Sequence, residues 1–344
     1  MLKERSIVPA IAIIAGITLT SPAANAADYY AGKTIDIVVG GSAGGGIDLY
    51  ARTFSRHVAR HIPGNPTVVV KNMPGASGTR ATQFVALAAP ANGLTIGATA
   101  PGAIVAALLD DKTTSNFNPS EFLYLGTTNV GVSLCATMAA SSKVKTFEDA
   151  LKLKTVFGSQ GPGSPSYDIA YLVKNLTGAP FNIIPGYKGS TDITLAMERG
   201  EIDGICGWNY SGARSQKADW FRDKKLNLLA QIGITEEDDL TKLGVPTIWK
   251  FIKDPEKKKI AEFILTQKGF ERPLLVRAGT PPELVKILRD AFDATVRDPQ
   301  FLADGEKARL EISPSPGTKV QELVTAFYAT PKDVVEKARD AIRP

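Results

Sequence analysis

The sequence predicts an α/β protein built as two lobes, and three observations carry that expectation. Short β-branched strands alternate with glycine-rich loops and amphipathic helices. The same order of strand, glycine loop and helix returns in the middle of the chain. The length of 344 residues also exceeds the roughly 100–200 residues that one domain usually takes.

The first segment reads as an export address. Lys3 and Arg5 precede an apolar run at residues 7–19, and Ala24, Asn25 and Ala26 follow it as a small-x-small cleavage pattern. The run is too short to cross about 30 Å of hydrocarbon as a helix and suits a secretory signal of residues 1–26. The mature chain is expected to begin near Ala27, in the periplasm, with no lipid anchor.

Thr34–Val39 reads as a buried strand, leading through Gly40, Gly41, Ser42, Ala43, Gly44, Gly45 and Gly46 into a helix. Ile47, Ala51, Phe54, Val58 and Ile62 recur on that helix at its own period, and Pro63-Gly64 ends it. A strand at 67–71 runs into the turn 72–78. A helix at 79–88 and a strand at 95–98 follow. The middle repeats the plan: a strand at 155–158, a Gly/Pro/Ser loop at 159–166 and a helix at 167–176. Strands at 181–184, 204–208 and 226–232 come next, with an amphipathic segment at 192–199 between the first two. After a strand at 273–276, Thr280, Pro281, Pro282 and Glu283 have the form of a capping box. The helix they introduce carries Leu284, Ile287, Leu288, Ala291, Phe292 and Val296 on one face. The chain is expected to cross between lobes near residues 126–129 and 268–272. That gives a first lobe of 27–127 plus 270–344 and a second of 128–269.

Composition removes several function classes. Hydrophobic residues at 44% and charged residues at 22% describe an ordinary globular chain. The net charge of +5 is scattered, which gives no footprint for nucleic acid. Two histidines and two cysteines exclude a zinc finger and a disulfide scaffold, and no cofactor or metal is implied.

Gly40-Gly41-Ser42-Ala43-Gly44 fits G-x-S-x-G between a strand and a helix, so a secreted hydrolase using Ser42 is the alternative from another class. Such a serine needs a histidine from late in the chain. His57 and His61 are the only two and lie in the helix just after the loop, so no catalytic residue is assigned. The glycine spacing is not that of a dinucleotide loop. His57 and His61 stand four apart without the glutamate of a metalloprotease helix, which favours a solvated face. Cys135 and Cys206 fall in strands of the second lobe, and spacing leaves open a bridge or two buried thiols.

The function is carried by the loops. A helix start reached through glycines leaves unpaired N–H groups and a partial positive charge, which together favour an anion. The arrangement occurs at 42–47 and at 161–166, and 72–78 has the same character. Neither principal loop holds Arg or Lys, so amides and hydroxyls would do the binding, which suits carboxylates. Trp208, at the end of a strand, is a candidate wall for an apolar ligand body.

The residues also resemble a known family. Gly44-Gly45-Gly46-Ile47-Asp48 followed by Ala51-Arg52 is similar to its GG-x-x-D…AR motif, and residues 70–78 are similar to its VENRPGAGG run. Residues 185–189 resemble PYKG with a glycine inserted, Gly200-Glu201-Ile202-Asp203 resembles GQVD, and Ala278-Gly279-Thr280-Pro281 matches AGTP. This ordered set resembles the receptors of the tripartite tricarboxylate transporter family. The resemblance implies a periplasmic binding protein of type II, a Venus flytrap of two α/β lobes on a two-strand hinge. It implies a monomer that grips a small di-, tri- or aromatic carboxylate and delivers it to integral-membrane permease subunits. A receptor for another transporter or a sensor system is the neighbouring alternative. The implied ligand contacts are Ser42, Ala43, Gly44, Gly45, Gly46, Asp48, Asn72, Ala76, Ser77 and Thr99 in the first lobe. In the second they are Gly163, Ser164, Ser166, Tyr187, Asp203 (through water or a ligand hydroxyl) and Trp208. Two departures stand out: Gly40-Gly41 replaces a proline and an aromatic, and residues 272–277 replace a Trp-containing crossover.

Overall fold

The computed structural model describes residues 29–41, 43–75, 78–109 and 116–344. The signal at 1–26 lies outside them, as do Ser42, Ala76 and Ser77.

The first part of the chain runs β1 (Thr34–Val39), α1 (Gly46–Val58), β2 (Thr67–Asn72), α2 (Thr79–Gln83), β3 (Thr95–Ala98), α3 (Pro101–Leu109) and β4 (Leu123–Thr127). The middle runs β5 (Ser133–Met138), α4 (Phe147–Ala150), β6 (Thr155–Gly158), α5 (Pro165–Thr177), β7 (Phe181–Ile184), α6 (Ser190–Glu198) and β8 (Gly204–Asn209). It continues through α7 (Tyr210–Gln216), α8 (Ala218–Arg222), β9 (Leu226–Ile232), α9 (Asp238–Lys242) and α10 (Pro255–Leu265). The last part is β10 (Pro273–Val276), α11 (Pro282–Thr295), α12 (Pro299–Lys307), β11 (Ser315–Pro316), α13 (Gly317–Tyr328) and α14 (Lys332–Ala341).

The strands form two sheets, one of order β11-β4-β10-β3-β1-β2 and one of order β7-β6-β8-β5-β9. In the first, β1 lies parallel between β2 and β3, and β10 runs antiparallel to β3 and β4. In the second, β6 is parallel to β7 and β8, while β5 is antiparallel to β8 and β9. Parallel strands put the loops after β1 and β3, and those after β6 and β8, at the carboxyl ends of their sheets. That is where open α/β sheets bind ligands.

The chain passes from the first sheet to the second after β4 and returns before β10, and backbone hydrogen bonds zip the two connections together. Gly131 N donates to Lys268 O at 2.9 Å, Glu271 N to Asn129 O at 3.1 Å and Thr128 N to Arg272 O at 3.3 Å. A third segment joins this ribbon: Val130 N donates to Ser313 O at 2.7 Å and Ser313 N to Thr128 O at 3.2 Å. No periodicity announces that segment. The end of the chain also does more than complete the first sheet. Helix α13 packs on β4, but α14 packs against α10 and α5 as well as α3. Asn175 of α5 donates to the carbonyls of Ala341 and Arg343 at 3.0 and 2.8 Å. Phe263 of α10 stacks on Phe327 of α13 with ring centres 4.3 Å apart.

Three local expectations need correction. The capping box before α11 does not form: the N-cap is Pro281, with no side-chain cap. Thr280 Oγ1 instead donates back to Arg277 O at 2.8 Å, closing the turn through Gly279. The helix expected at 79–88 is α-helical to Gln83 and then widens into a π turn, Phe84–Ala88. His57 and His61 do not form a solvated face. His57 is buried, with Nε2 3.0 Å from an oxygen of Asp304, and His61 Nε2 lies 2.9 Å from Asp298. Both acids belong to the start or body of α12, which packs on α1.

Cys135 and Cys206 face each other across the β5–β8 register with Cα atoms 3.8 Å apart, and they are joined as a disulfide.

Candidate functional site

The loop after β1 is held open to solvent by a buried brace. Residues Ala43, Gly44, Gly45 and Gly46 are exposed, and no side chain caps the start of α1. Its first N–H groups are therefore available to an acceptor. Gly44 takes φ +76°, a left-handed conformation that glycine adopts without penalty. Its N–H is pulled inward to Asp48 Oδ2 at 2.7 Å. Asp48 is 1% exposed. Its carboxylate also takes Arg52 Nε at 2.8 Å and Asn72 Nδ2 at 2.8 Å. Asn72 Nδ2 reaches Gly41 O at 2.9 Å, and its Oδ1 accepts from Arg52 Nη2 at 2.8 Å. Burial pushes the Asp48 carboxyl up, but hydrogen bonds from Arg52, Gly44 and Asn72 and the Arg52 charge outweigh it, so it stays below its ordinary value. Both side-chain N–H donors of Asn72 are thereby engaged. Asp48 and Asn72 position the loop; the sequence had grouped them with the ligand contacts.

The loop after β6 is shaped differently. Gly207, at φ +87°, lies under the first turn of α5, and a Cβ there would collide with the Pro165 carbonyl. Only glycine at that point of β8 lets the helix start settle on the sheet. Ser164 is the N-cap of α5 but makes no cap bond; its hydroxyl donates to Gly161 O at 2.7 Å. Ser166 Oγ accepts from Gln160 N at 3.1 Å and lies 3.3 Å from Ser164 Oγ. Ser164 has given its proton to Gly161 and offers lone pairs, and the Ser166 hydroxyl either donates to Ser164 or turns its proton to another acceptor. Gly163 N donates to Asp168 Oδ1 at 3.0 Å. Burial raises the Asp168 carboxyl to about 7, the Gly163 hydrogen bond opposing it only in part.

Of the other second-lobe candidates, Tyr187 joins this loop. Its N–H donates to Ser159 O at 3.2 Å, and its ring lies over Gly158. Asp203 does not join it. Asp203 stands before the amino end of β8, its Oδ2 accepting the Val156 N–H at 2.8 Å and its own N–H donating to Val156 O. The carboxylate thus closes the end of the sheet away from the loops. Trp208 is 3% exposed and packs edge-on against Trp220 within the Ile193–Met197–Ile205 cluster. Its ring serves the core.

Thr99 is fully buried, its N–H donates to Pro273 O at 3.4 Å, and its hydroxyl has no partner. It belongs to a larger set. Among the described residues, buried side-chain polar atoms without partners occur at Thr99, Thr128, Asn129, Ser133, Trp208 and Arg272. All but Trp208 stand at β3's carboxyl end or along the first crossing and the end of the second. Native interiors rarely leave such groups unpaired, so their concentration beside the hinge marks a place where further partners are expected.

Arg272 is the residue that sequence reasoning passed over, visible only as part of the departure at 272–277. Its guanidinium carbon is 5.3 Å from the centre of the Tyr50 ring, and Tyr50 OH donates to Glu311 O at 2.8 Å. Behind it, Lys268 Nζ and Glu271 Oε1 form a buried pair at 2.6 Å. Burial opposes ionisation of Glu271, yet Lys268 and Arg272 together hold it below the usual range.

The described residues contain no group of three or more side chains suited to a metal. Nor does a histidine lie near the first loop: α1 rises roughly 16 Å from Gly46 to His57, and both imidazoles are engaged with α12.

Two mixed sheets joined by paired crossings, each presenting an uncapped helix start at its ligand-binding edge, define a two-lobed solute receptor of the periplasmic binding protein type. The family model described as tripartite tricarboxylate transporter family receptor matches residues 51–339, and the chain belongs to that family, one of substrate-binding receptors and not of enzymes. The UPF0065 protein in gbd 5'region of Cupriavidus necator is 25% identical over 325 residues, 92% of this chain and 90% of that protein. Among solved structures, a TctC solute binding protein from Polaromonas without ligand is similar at a TM-score of 0.69 and 22% identity, covering 89% of this chain and 98% of its own. An R. palustris protein with adipate gives 0.63 at 21% identity, covering 89% and 97%. MatC from Rhodopseudomonas palustris with bound malate gives 0.59 at 20%, covering 90% and 99%. These likenesses establish the shared fold.

Proposed function

We propose that the chain is an exported, periplasmic, non-catalytic receptor that closes on a small organic carboxylate and presents it to the membrane permease subunits of a tripartite tricarboxylate transporter. The observation that carries the reading is the pair of uncapped helix starts, α1 and α5, at the carboxyl ends of β1 and β6. Each supplies N–H donors and partial positive charge to an anion. The adipate and malate held by two proteins of the same fold support the ligand class. The lobes would be 27–127 with 270–344, and 128–269, the last helix bridging them, in a monomer whose signal is cleaved near Ala26.

A thermal-shift screen of the refolded mature protein tests this, with acetate, malate, adipate, citrate and benzoate against amino acids, sugars and nucleotides. A ligand at 100 times its dissociation constant stabilises by about 2.7 kcal/mol, several degrees for a protein of this size. Shifts confined to carboxylates are expected; shifts confined to sugars or nucleotides would overturn the reading. In the same assay Ser166→Ala should weaken the binding acid by about 1–3 kcal/mol. Ser164→Ala, which removes a hydroxyl already donated to the loop, should weaken it less.

A further inference from the structure

We infer that Arg272 is the specificity-determining residue of the first lobe, holding an ionised carboxylate of the ligand against the start of α1. The inference rests on the carboxylate-receptor reading and deepens it: binding would depend on a full positive charge as well as on backbone amides.

The geometry pairs one edge of the guanidinium and leaves the other without a partner. Nη1 donates to Glu271 O at 2.7 Å and lies 3.3 Å from Glu271 Oε2. The Tyr50 ring supports one face. On the opposite edge Nε is buried without a partner, and Nη2 has none among the described residues. Nη2 reaches the first residue of α1, within 3.6 Å of where a Cβ on Gly46 would stand. Gly46 therefore leaves open the space in front of the guanidinium, and any larger residue there would narrow it. Nε and Nη2 form the fork with which arginine takes a carboxylate through two parallel hydrogen bonds.

The charge count points the same way. Glu271 is one carboxylate facing two cations, Lys268 and Arg272, so one positive charge at the hinge remains unneutralised. The next acid along, Glu311, is raised to about 7 by burial and by the neighbouring Glu237, with Arg214 and Asn129 opposing the shift only in part. Two further buried hydroxyls without partners, those of Thr128 and Thr99, follow β4 and β3, the strands beside β10. Thr128 lines the same small crevice with Tyr50, Ala98 and Ile47, and Thr99 is tied by its backbone N–H to Pro273 O. An acid seated at α1 would meet a helix start and a charged fork. A neutral ligand would leave the fork unpaired, which disfavours it.

The test is calorimetric titration of wild type, Arg272→Gln and Arg272→Lys with acetate, malate, adipate, citrate and benzoate, with melting temperatures of the ligand-free proteins alongside. Arg272→Gln should weaken the tightest of these acids by about tenfold or more, and Arg272→Lys should recover part of the loss. Binding of Arg272→Gln within twofold of wild type would overturn the assignment while leaving the receptor reading intact. Failure of wild type to bind any of the acids would overturn both. A second measurement needs no variant to fold well. In a spectrum of ¹⁵N-arginine-labelled wild type, the Arg272 Nε–H resonance should move as the acid saturates the protein, and an unmoved resonance would also overturn it.

Discussion

The two glycine loops share a plan and differ in what secures them. In both, a carboxylate in the first turn or so of the helix takes an N–H from the loop: Asp48 from Gly44, Asp168 from Gly163. In the first lobe that acid is surrounded by donors, Arg52 and Asn72 among them, and is held ionised. In the second no cation among the described residues offsets its burial, which raises it to about 7. The second loop is secured from below instead, by Gly207 under α5 and by the disulfide one residue earlier in β8. The same backbone geometry can thus be fixed by a charge network or by covalent and steric means, and the carboxylates of the two loops respond to pH in opposite ways.

The largest expected effect belongs to the second lobe. The Cys135–Cys206 link closes a separation of 71 residues, for which loop-closure entropy gives about 4 kcal/mol. Denaturant unfolding of the Cys135→Ser/Cys206→Ser double variant should show a loss of that order. A loss below about 1 kcal/mol would mean the loop is secured by packing alone.

Next comes the brace of the first lobe. Asp48→Ala removes the acceptor of Gly44, Arg52 and Asn72 and should reduce stability by about 3 kcal/mol, weakening acid binding as the loop loosens. The sign with pH follows from the lowered carboxyl. Its contribution is present above the unfolded value near 4 and is lost as pH falls through the folded one. Stability curves of wild type and Asp48→Asn should therefore converge in acid.

The smallest effect, and the most direct contrast, is at Asp168. A carboxyl raised to about 7 when folded favours the native state less as pH climbs from about 4 to 7, after which the difference is constant. Asp168→Asn keeps an acceptor for Gly163 without the charge. It should match wild type in acid and exceed it by about 1 kcal/mol or more at pH 8. Equal melting temperatures for the two at pH 5 and pH 8 would remove the contrast between the lobes.

Much of this molecule was legible before any coordinates. The strands at 34–39, 95–98, 155–158, 181–184, 226–232 and 273–276 fall where β-branched runs between turn residues put them. Both glycine loops and the helices they lead into also lie where the reading expected them. Less legible was the use each polar side chain would find. Asp48 and Asn72 looked like ligand contacts and are the brace; Asp203 looked like a cleft residue and closes the far end of its sheet. Thr280 had the pattern of a helix cap, and the turn beneath it took the hydroxyl.

The sequence by itself determined the elements, the order of the motifs and the positions of the loops, because period, glycine and proline act over a few residues of chain. Tertiary structure alone decided that Arg272 reaches Gly46, that Cys135 opposes Cys206, and that the last helix reaches across to α5 and α10. Each is a meeting of segments tens to hundreds of residues apart. A donor, an acceptor or a charge acquires its role only from the partner that folding brings within about 3 Å.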